Sequence, residues 1–281
     1  MAKGSSKFGK YKERKVREAL RNPINVLKSL GEKSQEKSYK YQRLYRNLYN
    51  PEFYLLAYQN IYANKGSMTP GVDGMTIDGI SMARINRIIE SMRNQSYQPK
   101  PARRKYIKKK TGNKKRPLGI SSADDKLVQE VVRMILESIY ERSFSTKSHG
   151  FRPNRSCHTA LTQIRNTFTG AKWFVEGDIK ACFDSFDHAV LIRILRKRIE
   201  DEAFLNLIWK FLKAGYMEQW TYNKTYFGIP QGSGCSPILA NIYLNELDEF
   251  MQGLKERFDV GSCDRRKVSY EYESVRGRAK R

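Results

Sequence analysis

The sequence predicts an α+β fold in which helices outnumber strands. Apolar residues recur at helical spacing in most segments between Tyr39 and Met251. Two other segments, Ala102–Ile120 and Gln219–Phe227, alternate around turn residues as β-hairpins do. This mixture of elements, without an internal repeat, is typical of an α+β fold.

The first elements are predicted to be an arm followed by two helices. Residues 1–36 are polar and basic, which predicts short helices or an arm that orders on its partner. Asn50-Pro51 separates the next two helices, since Asn caps well and Pro suits a first helical turn. The helix before this break carries apolar residues at i, i+3, i+4 and i+7, which are Tyr41, Leu44, Tyr45 and Leu48. We expect its tyrosines to pack inward; stacking on nucleic-acid bases is the alternative.

A loop, a helix and a hairpin follow. Asn64–Gly74 is rich in turn residues and predicts a loop. Strands Ala102–Lys108 and Lys115–Ile120 are predicted around a turn at Thr111-Gly112-Asn113. Ser121 or Ser122 can cap the helix after this hairpin. The apolar faces of the helices before and after the hairpin are Ile85, Ile88, Ile89 and Met92, and Leu127, Val131, Ile135 and Ile139.

The second half of the chain alternates helices with two predicted β segments. Lys172–Phe183 is predicted to be a strand that enters the core and ends at acidic residues. Gln219–Phe227 is predicted to be a hairpin around Asn223-Lys224. The remaining predictions are a helix marked by Leu161, Ile164 and Phe168, helices over 187–199 and 202–214, and a loop Gly228–Pro237 that leads into a helix carrying Leu239, Ile242, Tyr243 and Leu247.

Positive charge is concentrated in the first part of the chain. Of the net charge of +24, residues 1–116 carry +20 and residues 117–281 carry +4. The densest window, Lys100–Arg116, has ten basic residues and no acidic one. Charge concentrated in this way indicates a polyanionic partner, here nucleic acid, with an anionic membrane surface as the alternative.

Other classes of protein are disfavoured by the composition. The chain has no run of about 18 apolar residues, and its first ten residues lack the apolar segment of a secretory signal, so neither a membrane span nor a secretory signal is expected. We expect nucleic acid as the partner, and no membrane. The cysteines are scattered and form no CxxC pair, which argues against a zinc site or a disulfide framework. A reducing, cytoplasmic compartment is therefore expected.

Three segments have residue patterns that suit polynucleotide chemistry. In Trp173–His188 an apolar run leads into Gly177-Asp178, which would place a carboxylate at the end of a strand. Mg2+ is typically held by one or two such carboxylates together with substrate phosphates. The alternative is that Asp178 merely ends a strand. Gly228–Pro237 is a turn rich in Gly and Pro before a helix, where a nucleotide can approach closely. The basic hairpin Arg103–Arg116 suits contacts to a triphosphate or to a template backbone.

Together these segments resemble the reverse transcriptase–maturases encoded by group II introns. The resemblance runs from about Tyr41 to Met251 and rests on five ordered motifs: NKGSMTPGVDG, YIKKKTGNKKRPLGI, HGFRPNRSCHTAL, FVEGDIKACFDSFDH and GIPQGSGCSPILANIYLNELD. It implies a right-hand polymerase fold with fingers and an incomplete palm. It also implies an RNA-directed DNA polymerase that uses Mg2+, an RNA template with a DNA primer and dNTPs, and that binds intron RNA to assist splicing and mobility.

The same resemblance implies roles for individual residues. Asp178 would bind catalytic metal, with the backbone carbonyl of Ile179 as a further ligand. Phe183 would exclude a ribose 2′-hydroxyl, and Gln231 with Gly232 would lie against the incoming nucleotide. Arg116 would contact the triphosphate, with Lys109, or else Lys110, as its partner. The other basic residues of the hairpin are expected to contact RNA: Arg103, Arg104, Lys105, Lys108, Lys114 and Lys115.

The sequence departs from the family pattern after Gln231. The family completes its metal site with a YADD motif, and no paired-Asp motif follows Gln231 in this sequence. Asp124-Asp125 and Asp248-Glu249 are not assigned the role, since both fall in predicted helices. We therefore expect a fragment that retains RNA binding but not full polymerase activity. The thumb and maturase helices would also be absent.

The expected organisation has three parts. Residues 1–36 form a basic N-terminal extension, residues 37–165 the fingers, and residues 166–281 a partial palm with a fingers excursion near 200–230. A non-catalytic module that binds RNA and promotes splicing is the alternative function. A homodimer is conceivable, because an unfinished palm edge could pair with a second copy. The three histidines are interpreted as structural or RNA-contacting: His149, His158 and His188.

Overall fold

The structure of the protein is a computed structural model. It describes residues 22–64, 66–108, 115–169, 174, 176–229, 232–260 and 277–278. The chain divides into two compact units, Met1–Tyr243 and Leu244–Arg281. The described helices are α1 Pro23–Lys33, α2 Pro51–Tyr62, α3 Met82–Arg93, α4 Ala123–Tyr140, α5 Cys157–Thr167, α6 Cys182–Ser185, α7 His188–Arg196, α8 Glu202–Lys213 and α9 Ser236–Asp259.

One small mixed sheet lies in the first unit. Its strands are β1 Ala102–Lys108, β2 Lys115–Ile120, β3 Tyr216–Glu218 and β4 Thr221–Asn223, in the order β2-β1-β3-β4. The β1–β2 and β3–β4 pairs are antiparallel, whereas β1 and β3 are parallel. The two strands of the basic hairpin begin and end at the predicted residues.

Helix α4 forms the centre of the core. Its predicted apolar face is correct, because Leu127, Val131, Ile135 and Ile139 are all fully buried. Ser122 caps its first turn by accepting a hydrogen bond from the backbone N–H of Asp125 at 3.2 Å. The predicted apolar face of α3 is likewise buried, at Ile85, Ile88, Ile89 and Met92. The predicted face of α9 is buried only in part: Leu239 and Ile242 are buried, Tyr243 is half-buried and Leu247 is exposed.

The segment around Tyr41 is buried as predicted but is not a regular helix. Only Tyr45–Tyr49 forms a short 3-10 helix. Tyr41 instead pairs with Ile199 in an isolated β-bridge, and its N–H donates to the carbonyl of Arg198 at 2.8 Å. Tyr41 and Tyr45 both point into the core, so the inward packing of these tyrosines is confirmed. A pairing with a distant segment has replaced the local helical pattern.

The predicted strand over Lys172–Phe183 is wrong where the structure describes it. Residues 176–179 have no regular structure, Lys180-Ala181 is a turn with Ala181 at φ 51°, and α6 begins at Cys182. A strand is stable only when its backbone groups pair with a neighbour. In the described residues the four strands pair with one another and none pairs with 176–179.

The second predicted hairpin is also corrected. Its turn lies at Gln219-Trp220, and Asn223 is the last residue of β4. The parallel pairing of Ala102 with Tyr216 starts β3 beside β1, so contacts distant in sequence override the turn signal of Asn223-Lys224. Helix α5 forms as predicted, yet no residue of it is buried.

Candidate active site

The turn that begins at Gly228 is hydrogen-bonded to the segment that contains Phe183. The N–H of Ile229 donates to the carbonyl of Phe183 at 2.7 Å, and the N–H of Gly228 donates to the carbonyl of Phe186 at 2.8 Å. Gly228 has φ +86°, and a Cβ there would lie 2.8 Å from the Cα of Asp184. Only glycine fits so close an approach of two backbones in this conformation.

His188 adds a third bond to this junction. It is buried, and its Nε2 lies 2.7 Å from the carbonyl oxygen of Gly228, to which it donates. Its Nδ1 is buried and has no hydrogen-bond partner among the residues that the structure describes, and the Trp209 ring lies edge-on to the imidazole with 6.1 Å between ring centroids. Burial lowers the pKa of His188 below its usual value, with Lys213 acting in the same direction. A neutral imidazole with the proton on Nε2 fits this geometry. His188 therefore has a structural role, as the sequence analysis expected: it holds the turn at Gly228.

The same turn packs against the basic hairpin at its other end. Gly232 has φ +103°, and a Cβ there would lie 2.6 Å from the carbonyl oxygen of Gly119 and 2.8 Å from Cδ1 of Leu118. Both contacts are with β2, two and three residues beyond Arg116. The turn therefore links the Phe183 segment to the strand that carries Arg116.

The register of the hairpin divides its basic residues between two faces. Arg116 lies opposite Ile107, Leu118 opposite Lys105, and Ile120 opposite Arg103, so all six share one face. The other face carries Arg104 opposite Gly119, Tyr106 opposite Pro117, and Lys108 opposite Lys115. Gly232 lies against the side chain of Leu118, on the Arg116 face, whereas Gly228 and Ile229 at the start of the turn line a cavity with Arg104.

Arg104 makes its contacts on the opposite face of the sheet. Its guanidinium carbon lies 3.4 Å from the centroid of the Tyr216 ring, and its Nη1 lies 3.9 Å from the carboxylate of Glu218. It also borders a cavity of about 320 Å³, together with Lys224, Tyr226 and Phe227. Arg104 therefore belongs to a different surface from Arg116, although the sequence assigned both to nucleic acid.

The loop Asn64–Gly74 is anchored to the start of α4 by a residue that sequence reasoning missed. Lys126 Nζ donates to the carbonyls of Gly66, Ser67 and Thr69 at 3.1, 2.9 and 2.7 Å. Gly71 packs on the capping residue, because a Cβ on it would lie 2.7 Å from the Cα of Ser122. A lysine one turn after a helix cap carries no sequence signal for such a role.

Two acidic residues that could have been mistaken for metal ligands are structural. Asp125 is buried, and its carboxylate accepts hydrogen bonds from Tyr97 and Ser122, both at 2.6 Å. Burial raises its pKa despite these bonds. Asp124 is paired with Arg84 at 2.5 Å. Both carboxylates therefore have partners within the fold.

Asp178 and Ile179 lie in exposed backbone before α6. Asp178 is exposed and Ile179 is 49% exposed. Among the described residues no group of three metal-ligating side chains is found. A carboxylate and a backbone carbonyl are hard oxygen donors of the kind Mg2+ prefers, so the donor chemistry of Asp178 and Ile179 fits this metal.

Phe183 lies at the start of α6, half-buried between two other rings. Its ring centroid is 6.4 Å from that of Phe151 and 6.2 Å from that of Phe186, both in edge-to-face arrangement. Phe186 is buried and contacts Tyr243 at 4.5 Å. Other predicted site residues lie outside the described residues: Lys109, Lys110, Lys114 and Gln231.

Similarity to known proteins defines the class of protein. Residues 107–264 match the family model described as "Reverse transcriptase (RNA-dependent DNA polymerase)", which spans more than half of the chain. The chain belongs to this family. A solved chain of the "Partial Cas6-RT-Cas1--Cas2 complex" has a similar fold, with a TM-score of 0.50 at 22% identity over 75% of this chain and 35% of that chain.

Particular relatives confirm the resemblance to group II intron proteins. The chain is 52% identical over 263 residues to the group II intron-encoded protein LtrA of Lactococcus lactis subsp. cremoris, covering 93% of this chain and 44% of that protein. It is 32% identical over 180 residues to nuclear intron maturase 1, mitochondrial, of Arabidopsis thaliana, covering 46% of this chain and 25% of that protein. The chain thus spans less than half the length of these relatives. No helix in the described residues is long and apolar enough to cross a membrane.

Proposed function

We propose that this chain supplies the nucleotide-selecting and RNA-binding part of an RNA-directed DNA polymerase of the group II intron type. The observation that supports it most is the convergence of three segments that are distant in sequence. The turn starting at Gly228 is bonded to Phe183 at one end, and Gly232 packs on Leu118 of β2 at the other. Residues with family roles in nucleotide binding therefore border a common region.

Each residue then has a distinct task in this proposal. Arg116 neutralises the triphosphate, with Lys109 or Lys110 beside it, because guanidinium groups bind phosphate oxygens in a bidentate manner. Phe183 excludes a ribose 2′-hydroxyl by bulk. Gln231 and Gly232 border the sugar and base, where the lack of a side chain on Gly232 lets the turn pack closely against β2.

Mg2+ is the proposed cofactor. Asp178 would offer one carboxylate and Ile179 its carbonyl, while substrate phosphates supply further oxygens. When bound, the metal neutralises charge on the transferring phosphate and on the leaving pyrophosphate. The exposure of Asp178 leaves its carboxylate accessible to such a ligand.

The proposed partners are an RNA template with a DNA primer, dNTPs and the intron RNA itself. The net charge of +20 over residues 1–116 suits a large RNA surface, in a cytoplasmic ribonucleoprotein. The division into an extension, fingers (37–165) and partial palm (166–281) is retained as part of the proposal, as is a homodimer.

Replacing Phe183, the residue proposed to exclude a ribose 2′-hydroxyl, tests this function without requiring catalysis. The chain would be bound to an RNA template and a DNA primer with a dideoxy 3′ end, and stabilisation of the complex by the next nucleotide would be measured. Complementary dNTP should stabilise it and the matching rNTP should not. Phe183→Ala should admit the rNTP, whereas Phe151→Ala, which removes only the neighbouring ring, should not. Equal responses to dNTP and rNTP in the unsubstituted chain would contradict the proposal.

A splicing cofactor that binds RNA without polymerising DNA is the second candidate. The similarity to a protein named as a nuclear intron maturase favours it, as does the concentration of positive charge before residue 117. It predicts tight intron RNA binding that is unaffected by dNTP and by Phe183→Ala.

A further inference from the structure

The tip of the β3–β4 hairpin holds a fully exposed tryptophan in a strained backbone conformation. Trp220 is 92% exposed, and the two residues of the loop, Gln219 and Trp220, have φ values of 48° and 64°. Two-residue hairpins with positive φ at both positions strongly prefer Asn-Gly, because bulky residues rarely adopt this conformation. An exposed indole gains little from packing, so folding stability does not account for this residue.

Further aromatic rings are exposed within seven residues of the tip. Tyr222 is 47% exposed, Tyr226 66% and Phe227 61%. Single exposed apolar side chains are ordinary on protein surfaces, whereas a group of them marks an interaction surface. We name Trp220, Tyr226 and Phe227 the hairpin aromatic cluster. Tyr222 is not part of it, because its pairing with Met217 places it on the face of the sheet that carries Arg103.

Positive charge is interleaved with the hairpin aromatic cluster. Lys213 Nζ lies 5.9 Å from the centroid of the Tyr226 ring. Lys224 and Arg104 border the cavity of about 320 Å³ that Tyr226 and Phe227 also line, together with one acidic residue, Asp184. Residues 209–228 contain three lysines and a single acidic residue, Glu218, whose carboxylate lies 3.9 Å from Arg104. The surface therefore suits a polyanion.

The cavity lies on the opposite face of the sheet from Arg116. It contacts β1 and β2 at Arg104, Pro117 and Gly119, which share the face turned away from Leu118. Its volume is at the lower end of the range of about 300–1,000 Å³ that is usual for small-ligand sites, and its rim is aromatic and basic. A flat, uncharged ring attached to a phosphate chain matches that combination.

We propose that the hairpin aromatic cluster stacks unpaired bases of single-stranded RNA, with Lys213, Lys224 and Arg104 bordering its phosphates. Aromatic rings interleaved with cations are the usual means of holding single strands without reading their sequence. Duplex RNA hides its base faces and would not use the rings. The cavity is also lined by Asp184, Gly228 and Ile229, so the site adjoins the turn of the proposed nucleotide site. Titration with oligouridine and titration with dNTP test the two proposals separately, so either can fail while the other stands.

The direct test compares RNA ligands that differ in base stacking. A fluorescein-labelled oligouridine, an abasic strand of equal length and an RNA duplex would be titrated with the chain, by anisotropy at fixed salt. Trp220→Ala and the double variant Tyr226→Ala with Phe227→Ala should each weaken oligouridine binding about fivefold or more. Binding of the abasic strand and of the duplex should be unchanged. Phe258→Ala, which removes a ring 70% exposed in the second unit, is the matched control and should have no effect.

A stability measurement separates this role from a folding defect. Trp220→Gly relieves the positive φ and should raise the urea midpoint while it weakens oligouridine binding. Equal losses for all three RNA ligands would overturn the proposal in favour of a general charge or folding effect. Unchanged oligouridine binding would also overturn it. So would a loss of binding to phosphatidylserine vesicles alone, which would indicate a lipid surface.

Discussion

The carbonyl oxygen of Phe183 accepts a hydrogen bond from the backbone N–H of Ile229 at 2.7 Å. This bond joins the first turn of α6 to the turn that leads into α9. The side chain with the proposed role in sugar selection is thereby positioned by the same backbone that presents Gly232. Substitutions in the turn should therefore change the position of Phe183, although the two are far apart in sequence.

Gly228 should tolerate no side chain. Gly228→Ala would require a positive φ and would bring a Cβ to 2.8 Å from both the Cα of Asp184 and the carbonyl of Phe183. We expect a loss of about 1–3 kcal/mol in the free energy of unfolding, measured in urea. Gly234→Ala is the control, since its Cβ would meet only the Gln129 side chain at 3.7 Å. Equal stability of the two variants would refute the close approach at Gly228.

His188 should make stability depend on pH. Burial lowers its pKa in the folded state, with Lys213 adding to and Asp187 opposing the shift. Below about pH 6.5 the unfolded chain binds a proton that the folded chain does not, so stability falls as the pH decreases. In His188→Gln this contribution is absent. The free energy of unfolding of the unsubstituted chain should therefore exceed that of His188→Gln by less at about pH 5.5 than at about pH 7.5.

A constant difference across that range would mean that His188 does not remain neutral in the folded chain. Trp209→Phe is a useful companion, because it keeps an aromatic neighbour for the imidazole and should preserve the pH dependence.

Lys126 should hold the loop Asn64–Gly74 against α4. Lys126→Met keeps most of the aliphatic chain and removes the hydrogen bonds to Gly66, Ser67 and Thr69. Hydrogen exchange in residues 66–73 should accelerate while the unfolding free energy falls by only about 1 kcal/mol. The exposed Lys37→Met serves as the control. Unchanged exchange in the loop would show that the three bonds do not restrain it.

Local patterns predicted much of the fold, and pairing between distant segments accounts for the errors. The strands of the basic hairpin and the buried face of α4 follow from alternation and from helical spacing within one segment. The turn at Gln219-Trp220 depends on β3 pairing with β1, which no local pattern contains. The absence of a strand over 176–179 has the same origin, since a strand requires a partner.

The contacts among the candidate site residues could not be predicted from the sequence. Alternation along β1 and β2 predicts that Arg104 and Arg116 face opposite ways, but only the structure shows that Gly232 lies against Leu118 while Gly228 and Ile229 line a cavity with Arg104. The hydrogen bond from His188 to Gly228 joins the motif that ends at His188 to the motif that begins at Gly228, and neither motif alone indicates this contact. Trp220 carried no motif and stands out only through its exposure and its φ.

RNA affinity should fall steeply with salt, because each phosphate contact releases a condensed counterion. Lys115→Ala on the hairpin should reduce the slope of log affinity against log salt by roughly one unit or less and should weaken all sequences alike. The titration would be repeated at several salt concentrations. A flat response of the unsubstituted chain between low and moderate salt would exclude the basic half as the main RNA contact.

Capture of the next complementary dNTP most directly tests the assembly of a nucleotide site. The dissociation constant would be measured with Mg2+, an RNA template and a dideoxy-terminated DNA primer, for the unsubstituted chain, Arg116→Ala and Lys37→Ala. We predict that Arg116→Ala weakens dNTP binding about tenfold or more, through loss of a charge-assisted contact of about 1.5–3 kcal/mol, while Lys37→Ala, at an exposed lysine outside the hairpin, changes it by less than about twofold. Equal effects of the two substitutions, or no effect of Arg116→Ala, would contradict the proposed site.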